Sequence, residues 1–159
     1  MALMAVLVLV LPAAAGARAR AANETAESKM LTALNKVRAQ HSLSALRVSR
    51  SLMGSARRYS RWLMANDTFR HLGRIQASGR FSLLGEALAM HYDRKFSVRG
   101  TINQWMASPP HRALVLSSAM KWGGVGVTRG RFGASQATIW VLHTGRIQPL
   151  GTTITLPSP

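Results

Sequence analysis

Three side chains in this sequence stand where they could do chemistry. His111 lies in the run Trp105-Met106-Ala107-Ser108-Pro109-Pro110-His111-Arg112-Ala113-Leu114-Val115-Leu116. Ser108 can accept a hydrogen bond from the first free N–H groups of a helix, and proline is tolerated in a first turn. A helix is therefore predicted to start at Pro109 or Pro110, with His111 in its first turn and Leu114 and Val115 turned toward a core. An imidazole fixed there changes charge near neutral pH and can serve as acid, base or metal ligand. His71 sits in Phe69-Arg70-His71-Leu72-Gly73, which reads as a buried aromatic anchor, a presented imidazole and a bend. Glu86 interrupts the apolar segment from Leu83 to Met90. A carboxylate in such a segment must be paired, bound to a cation or protonated, because an isolated buried charge is costly. Each residue also has a plain structural reading. His111 would be an incidental helix-end histidine, His71 a loop residue, and Glu86 the partner of one of the many arginines.

The elements that must position these groups follow from periodicity. After a polar lead-in at Asn23–Ser28, a first helix is predicted from Met30, Leu31, Leu34, Val37 and His41, which form one apolar stripe. Asn35 and Arg38 stand near its edge and either tie it to a neighbouring segment or face solvent. A second helix is predicted from about Ser49 to Asn66, with Leu52, Met53, Ala56, Tyr59, Leu63 and Met64 inward and Arg57, Arg58 and Arg61 outward. Ile75–Phe81 reads as a loop. The segment around Glu86 is too short and apolar to assign between helix and strand. Val98, Ile102, Trp105 and Met106 mark a third helix. Gly123–Thr128 and Ala137–His143 are β-prone and joined by a glycine-bearing loop, which suits an antiparallel hairpin. The alternation of Gly124 and Gly126 with valines suggests a face crowded by a neighbouring helix.

Composition narrows the classes. The chain has 159 residues, enough for one core. Met1–Leu11 is unbroken apolar sequence followed by small residues; it is short of the roughly 20 apolar residues of a membrane span but suits a signal peptide. No basic residue precedes the run. The expected organisation is a signal peptide over 1–22, a domain over 23–146 and a tail over 147–159, with a secreted or envelope location. Cysteine is absent, which excludes thiol catalysis and cysteine-ligated metals. Lys and Arg number 21 against 5 Asp and Glu, a net charge of +16 that attracts polyanions. The arginines are spread along the chain and aromatics make up only 6%, so nucleic acid is not the expected partner. Anionic envelope polymers and lipids are. No phosphate-binding glycine loop, nucleophile elbow or H-E-x-x-H helix is present.

Taken in order, Asn35-x-x-Arg38 with Leu43 and Leu46, Phe69-x-His71-x-Gly73, Gly85-Glu86, Trp105-Met106-x-Ser108-Pro109-x-His111-Arg112-Ala113-x-x-Leu116 and Val125-Gly126-Val127 resemble the bacterial branch of the CAP superfamily. This is the group of cysteine-rich secretory, antigen 5 and pathogenesis-related proteins, also called SCP-like. The resemblance runs from about Glu27 to Gly145. It implies an α+β fold, a three-layer α-β-α sandwich around a small, mainly antiparallel sheet with a surface cleft. Two histidines and acidic residues face that cleft in the family, and some members bind a divalent metal there, commonly zinc. The matching positions are His71, Glu86 and His111. Two imidazoles and a carboxylate could hold zinc with an open position for water, or act as acid and base without it.

This chain also departs from the family pattern. The second cleft acid has no evident counterpart, Asp93 being the nearest candidate. Ala87 replaces the usual asparagine after Gly-Glu, and Ser42 a usual glycine. The last strand reads Trp140-Val141-Leu142-His143-Thr144-Gly145 where relatives often carry a glutamine. His143, His41 and His91 are read as having no special role. The expected function is a non-enzymatic binding module with a cleft for a small lipid-like ligand and no required cofactor. The alternative is a metal-assisted hydrolase using the same cleft.

Overall fold

A computed structural model of the chain describes residues 12–78, 81–92 and 97–147. Among them the elements run α1 (Pro12–Gln40), β1 (Arg47–Val48), α2 (Arg50–Ala65), β2 (Phe81–His91), α3 (Val98–Ala107), α4 (Pro109–Val115), β3 (Trp122–Phe132) and β4 (Ser135–Ile147). The sheet order is β1-β3-β4-β2, antiparallel throughout except for the short β1–β3 pair. The apolar segment around Glu86 is a strand. At Ala87–Ala89 both of its faces are covered, so it carries no polar alternation to read there.

The register assigns the faces. Glu86, Leu88 and Met90 of β2 lie opposite His143, Val141 and Ile139 of β4, which lie opposite Gly124, Gly126 and Thr128 of β3. This face packs on α2 through Ala56, Tyr59, Leu63 and Met64. The other face carries Ala87, Ala89, Val125, Val127, Trp140 and Leu142 against α1, α3 and α4. The result is the expected α-β-α sandwich.

The fit of α2 to the sheet depends on two glycines. A Cβ on Gly124 would stand 2.1 Å from the Met53 backbone nitrogen, and one on Gly126 2.3 Å from the Ala56 carbonyl carbon. Backbone meets backbone there, which is the crowding that the Gly-Val alternation signals. Ser49 caps α2, its hydroxyl accepting from Leu52 N at 3.3 Å.

Several expectations are corrected. Asn23–Ser28 is helical and part of α1, because Ala26 and Glu27 are buried there. Glu27 Oε1 accepts from Val127 N at 3.2 Å, filling an N–H on the β3 edge beyond the reach of β1, and Oε2 takes the Arg57 guanidinium at 2.5 Å. Arg57 is thus a tie between α1 and α2 rather than an outward charge. Burial pushes the Glu27 carboxyl up, against the Arg57 and Val127 donors that hold it down. His41 is exposed beyond the end of α1. Ser108 sits at the N-cap of α4, yet its side chain makes no capping bond; its carbonyl accepts from Arg112 N at 2.8 Å. The hairpin strands extend to a two-residue turn at Gly133 and Ala134, where Gly133 has φ +56° and donates to Asp67 Oδ1 at 2.7 Å.

Asn35 and Arg38 both tie α1 inward. Asn35 exchanges two hydrogen bonds with the Leu46 backbone. Arg38 is fully buried and donates to the carbonyls of Ser44, Val115, Ser117 and Met120, at 2.6–3.1 Å. It thereby satisfies the end of α4 and the turn before β3. The tail beyond Ile147, the apolar run Met1–Leu11 and Asp93 fall outside the described residues.

Gly126→Ala is expected to cost about 3 kcal/mol, since the overlap is with backbone that cannot rotate away. Urea unfolding should show a lowered midpoint. Gly73→Ala, whose Cβ meets nothing within 4 Å, should leave the midpoint in place.

Candidate functional site

The site is built on Glu86, whose carboxylate is 6% exposed. It projects from β2 onto the α2 face, opposite His143 of β4. Oε2 meets His143 Nε2 at 3.0 Å, and Oε1 meets both His71 Nδ1 at 2.8 Å and the Leu72 N–H at 2.9 Å. Burial alone would raise this carboxyl. The hydrogen bonds from His143, Leu72 and His71 outweigh it, so Glu86 lies below the usual carboxylate range. It is therefore an acceptor, and each imidazole presents an N–H to it. In the neutral form of His71 this leaves Nε2 with a lone pair, on a ring whose side chain is 61% exposed.

His71 lies on the irregular segment between α2 and β2. Phe69, expected to be its buried anchor, is 40% exposed. Other groups hold the segment: the Tyr59 hydroxyl donates to Arg70 O at 2.5 Å, Leu72 packs on the α2-side core, and Arg58 donates to Gln76 O at 3.1 Å. Burial, and next the nearby Glu86 charge, raise the Tyr59 phenol and keep it a donor.

His111 reaches the same place from the other layer. The α4 helix lies tight against β2, for a Cβ on Gly85 would stand 2.3 Å from Leu114 Cδ1. Trp105 helps fix α3 on β2 by donating from Nε1 to Leu88 O at 3.0 Å. The His111 and His71 rings are 5.9 Å apart at their centroids. His111 Nδ1 is buried with no hydrogen-bond partner among the described residues. Burial, and secondarily the neighbouring His71, lower the His111 pKa from 6.5.

His71 therefore contacts both Glu86 and His111, but Glu86 spends both oxygens on N–H donors. Among the described residues no group of three or more His, Asp or Glu side chains is arranged to hold a metal ion. The donor set left for a cation is His71 Nε2 and the His111 ring. Glu86 stands behind His71, where a carboxylate orients a metal-binding imidazole rather than ligating.

His143 corrects the sequence reading. It is fully buried, bonded to Glu86, and its ring lies 6.4 Å from that of Tyr59. His143 stands one residue beyond the strand position expected to carry glutamine, and the alternation of β4 turns it to the α2 face beside Glu86. His91 has a structural role, pairing with Thr101 Oγ1 at 2.8 Å.

Beside His71 a cleft of about 730 Å³ opens between α2 and the 70–76 segment. Tyr59, Trp62 and Leu72 give it apolar walls, and Arg58 and Arg70 give it positive charge. The Tyr59 and Trp62 rings stack at 5.8 Å, and the Arg70 guanidinium lies 5.5 Å from the Trp62 ring centroid.

Two measurements probe this arrangement. Glu86→Ala would leave the His143 and Leu72 N–H groups buried without an acceptor, and is expected to lower the unfolding free energy by about 2–4 kcal/mol. In metal-free protein, NMR titration should place His111 below 6.5. His71→Gln should move it back up, since removing a neighbouring positive charge favours the imidazolium.

Comparison with known proteins places the fold. No curated protein sequence matches the chain. The structure is similar to an outer surface protein of Borrelia burgdorferi, with TM-score 0.63 and 19% identity over 78% of this chain and 94% of that one. It is also similar to an extracellular protein containing an SCP domain from Bacillus anthracis, with TM-score 0.66 and 19% identity over 78% of this chain but 41% of that one. A cysteine-rich secretory protein of Staphylococcus aureus gives TM-score 0.54 at 17% identity, again over 78% of this chain and 39% of the other. The chain thus spans about two fifths of the latter two proteins. Residues 31–144 match the model of the cysteine-rich secretory protein family, and the chain belongs to that family, the CAP superfamily.

Proposed function

We propose that this chain is an exported binding module that takes an anionic, lipid-like small molecule in the cleft beside His71. Its basic surface engages anionic envelope components. The observation that carries this reading is the cleft of about 730 Å³, with aromatic and aliphatic walls and two guanidinium groups. Its size suits a small-molecule site, for which cavities of roughly 300–1,000 Å³ are usual. An apolar chain would lie along Tyr59, Trp62 and Leu72, and a carboxylate or phosphate head would meet Arg58 and Arg70. The extracellular and outer-surface descriptions of its structural relatives support an exported location. No described helix is long and apolar enough to cross a membrane.

One observation favours the alternative, a metal-assisted hydrolase. The Glu86–His71 pair orients an imidazole whose Nε2 can accept a proton or a cation at the cleft wall. His71 and His111 are the residues that would hold a zinc ion, with Glu86 orienting His71. A bound ion there would supply Lewis acidity and an acidified water.

Calorimetry separates the two. A long-chain fatty carboxylate is expected to bind at one site, at least tenfold more weakly in Gly73→Leu, which adds bulk to the cleft wall. Absence of binding to the parent protein would overturn the module reading. Zinc is expected to bind at one site weakened at least tenfold in both His71→Ala and His111→Ala; unchanged heats in both would remove the shared site. Zinc-dependent turnover of an ester substrate, lost in His71→Ala, would favour the hydrolase.

A further inference from the structure

The mouth of the cleft lies on a surface whose composition is unlike the rest of the molecule. Trp62 is 41% exposed and Phe69 40% exposed. Arg58, Arg61, Arg70 and Arg74, all exposed, surround them. These six residues come from the solvent face of α2 and the segment after it. The contacts of Arg70 with the Trp62 ring and of Arg58 with Gln76 hold the two parts together. The other three tryptophans are buried or half-buried, so Trp62 is the one described tryptophan that the fold leaves outside.

The described acids that could neutralise this face are used elsewhere. Glu24 and Glu27 are turned to Arg57, and Glu86 is enclosed by its histidines. Asp67, at the margin, accepts from Gly133 N. An exposed indole and phenyl ring ringed by guanidinium groups has the chemistry of a lipid–water interface. Aromatic rings settle at headgroup depth there, and arginines meet anionic phosphates.

The geometry points to this face as a docking surface for an anionic lipid bilayer, with Trp62 and Phe69 inserted among the headgroups. The inference extends the reading of the cleft, because Arg58, Trp62 and Arg70 belong to both the face and the cleft lining. A docked molecule would present the cleft mouth to the lipid from which an amphiphile is drawn. A bilayer fits better than a soluble polyanion because a polyanion uses the arginines but has no place for two exposed aromatic rings.

Vesicle sedimentation of the full chain tests this. Binding is expected to vesicles of phosphatidylcholine with phosphatidylglycerol, to be absent with phosphatidylcholine alone, and to fall as salt rises. The triple variant Arg58→Gln, Arg61→Gln, Arg74→Gln should lose on the order of a hundredfold in partitioning. Trp62→Ser with Phe69→Ser should lose at least tenfold, with far-UV circular dichroism unchanged. The control Lys29→Gln, Lys36→Gln, Arg99→Gln removes the same charge from α1 and α3 and should lose far less. Equal losses in both triples, or full binding by the aromatic variant, would overturn the assignment. So would binding to inorganic polyphosphate with none to vesicles, which would make the partner a polymer. The variant His111→Ala, outside the docking face, should bind vesicles like the parent. Failure of the cleft reading, seen with monomeric carboxylate, is thus separate from failure of this one.

Discussion

The arrangement depends most on one buried carboxylate. Glu86 is a charge placed inside a sandwich, on a strand whose next three residues are buried on both faces. It is tolerable only because three N–H donors converge on it, from β4, from the segment after α2 and from the main chain of Leu72. Those donors are also what defines the site. The carboxylate fixes which nitrogen of His71 is turned inward, draws the irregular segment onto the sheet, and so shapes one wall of the cleft. A stability requirement and a functional geometry are here the same set of hydrogen bonds.

Scarcity of acid makes such placements consequential. The chain has 5 Asp and Glu for 21 Lys and Arg, and each described carboxylate has an assigned donor. Glu27 does on one sheet edge what Glu86 does near the other. It fills a backbone N–H that no strand covers and joins layers that the sheet separates. Arg38 does the converse work, a buried cation satisfied by four carbonyl oxygens rather than by an acid. With the described acids paired, the excess positive charge is left to the surface.

The fold was legible where packing repeats along the chain. The stripe of α2, the Gly-Val alternation of β3 and the Ser-Pro-Pro start of α4 each mark a local element that formed, although Ser108 begins α4 without a side-chain capping bond. His71, Glu86 and His111 were legible as separate residues with a demand on their surroundings. Their meeting depends on β2 register, on the close seat of α4 at Gly85 and on the path of the segment after α2, none of which is local. His143 and Glu27 were missed for the same reason. Their partners lie 57 and 100 residues away, so nothing beside them in sequence marks the role. Phe69 misled because an aromatic beside a histidine looks like an anchor, whereas Leu72 and Tyr59 supplied the anchorage.

The backbone contact of α2 with Gly124 and Gly126 bears on how the cleft can respond to its contents. Where α2 meets bare backbone, at Met53 and Ala56, there is no side-chain layer to compress, so the wall carrying Tyr59 and Trp62 is held close and stiff. The facing wall is chain without regular structure, tethered at a few points by the Tyr59 hydroxyl, Arg58 and Glu86. Width therefore adjusts from one side only. Ligands of different girth would be measured against a fixed aromatic ruler by displacement of the 70–76 segment, and one of its tethers, Glu86, also holds His71.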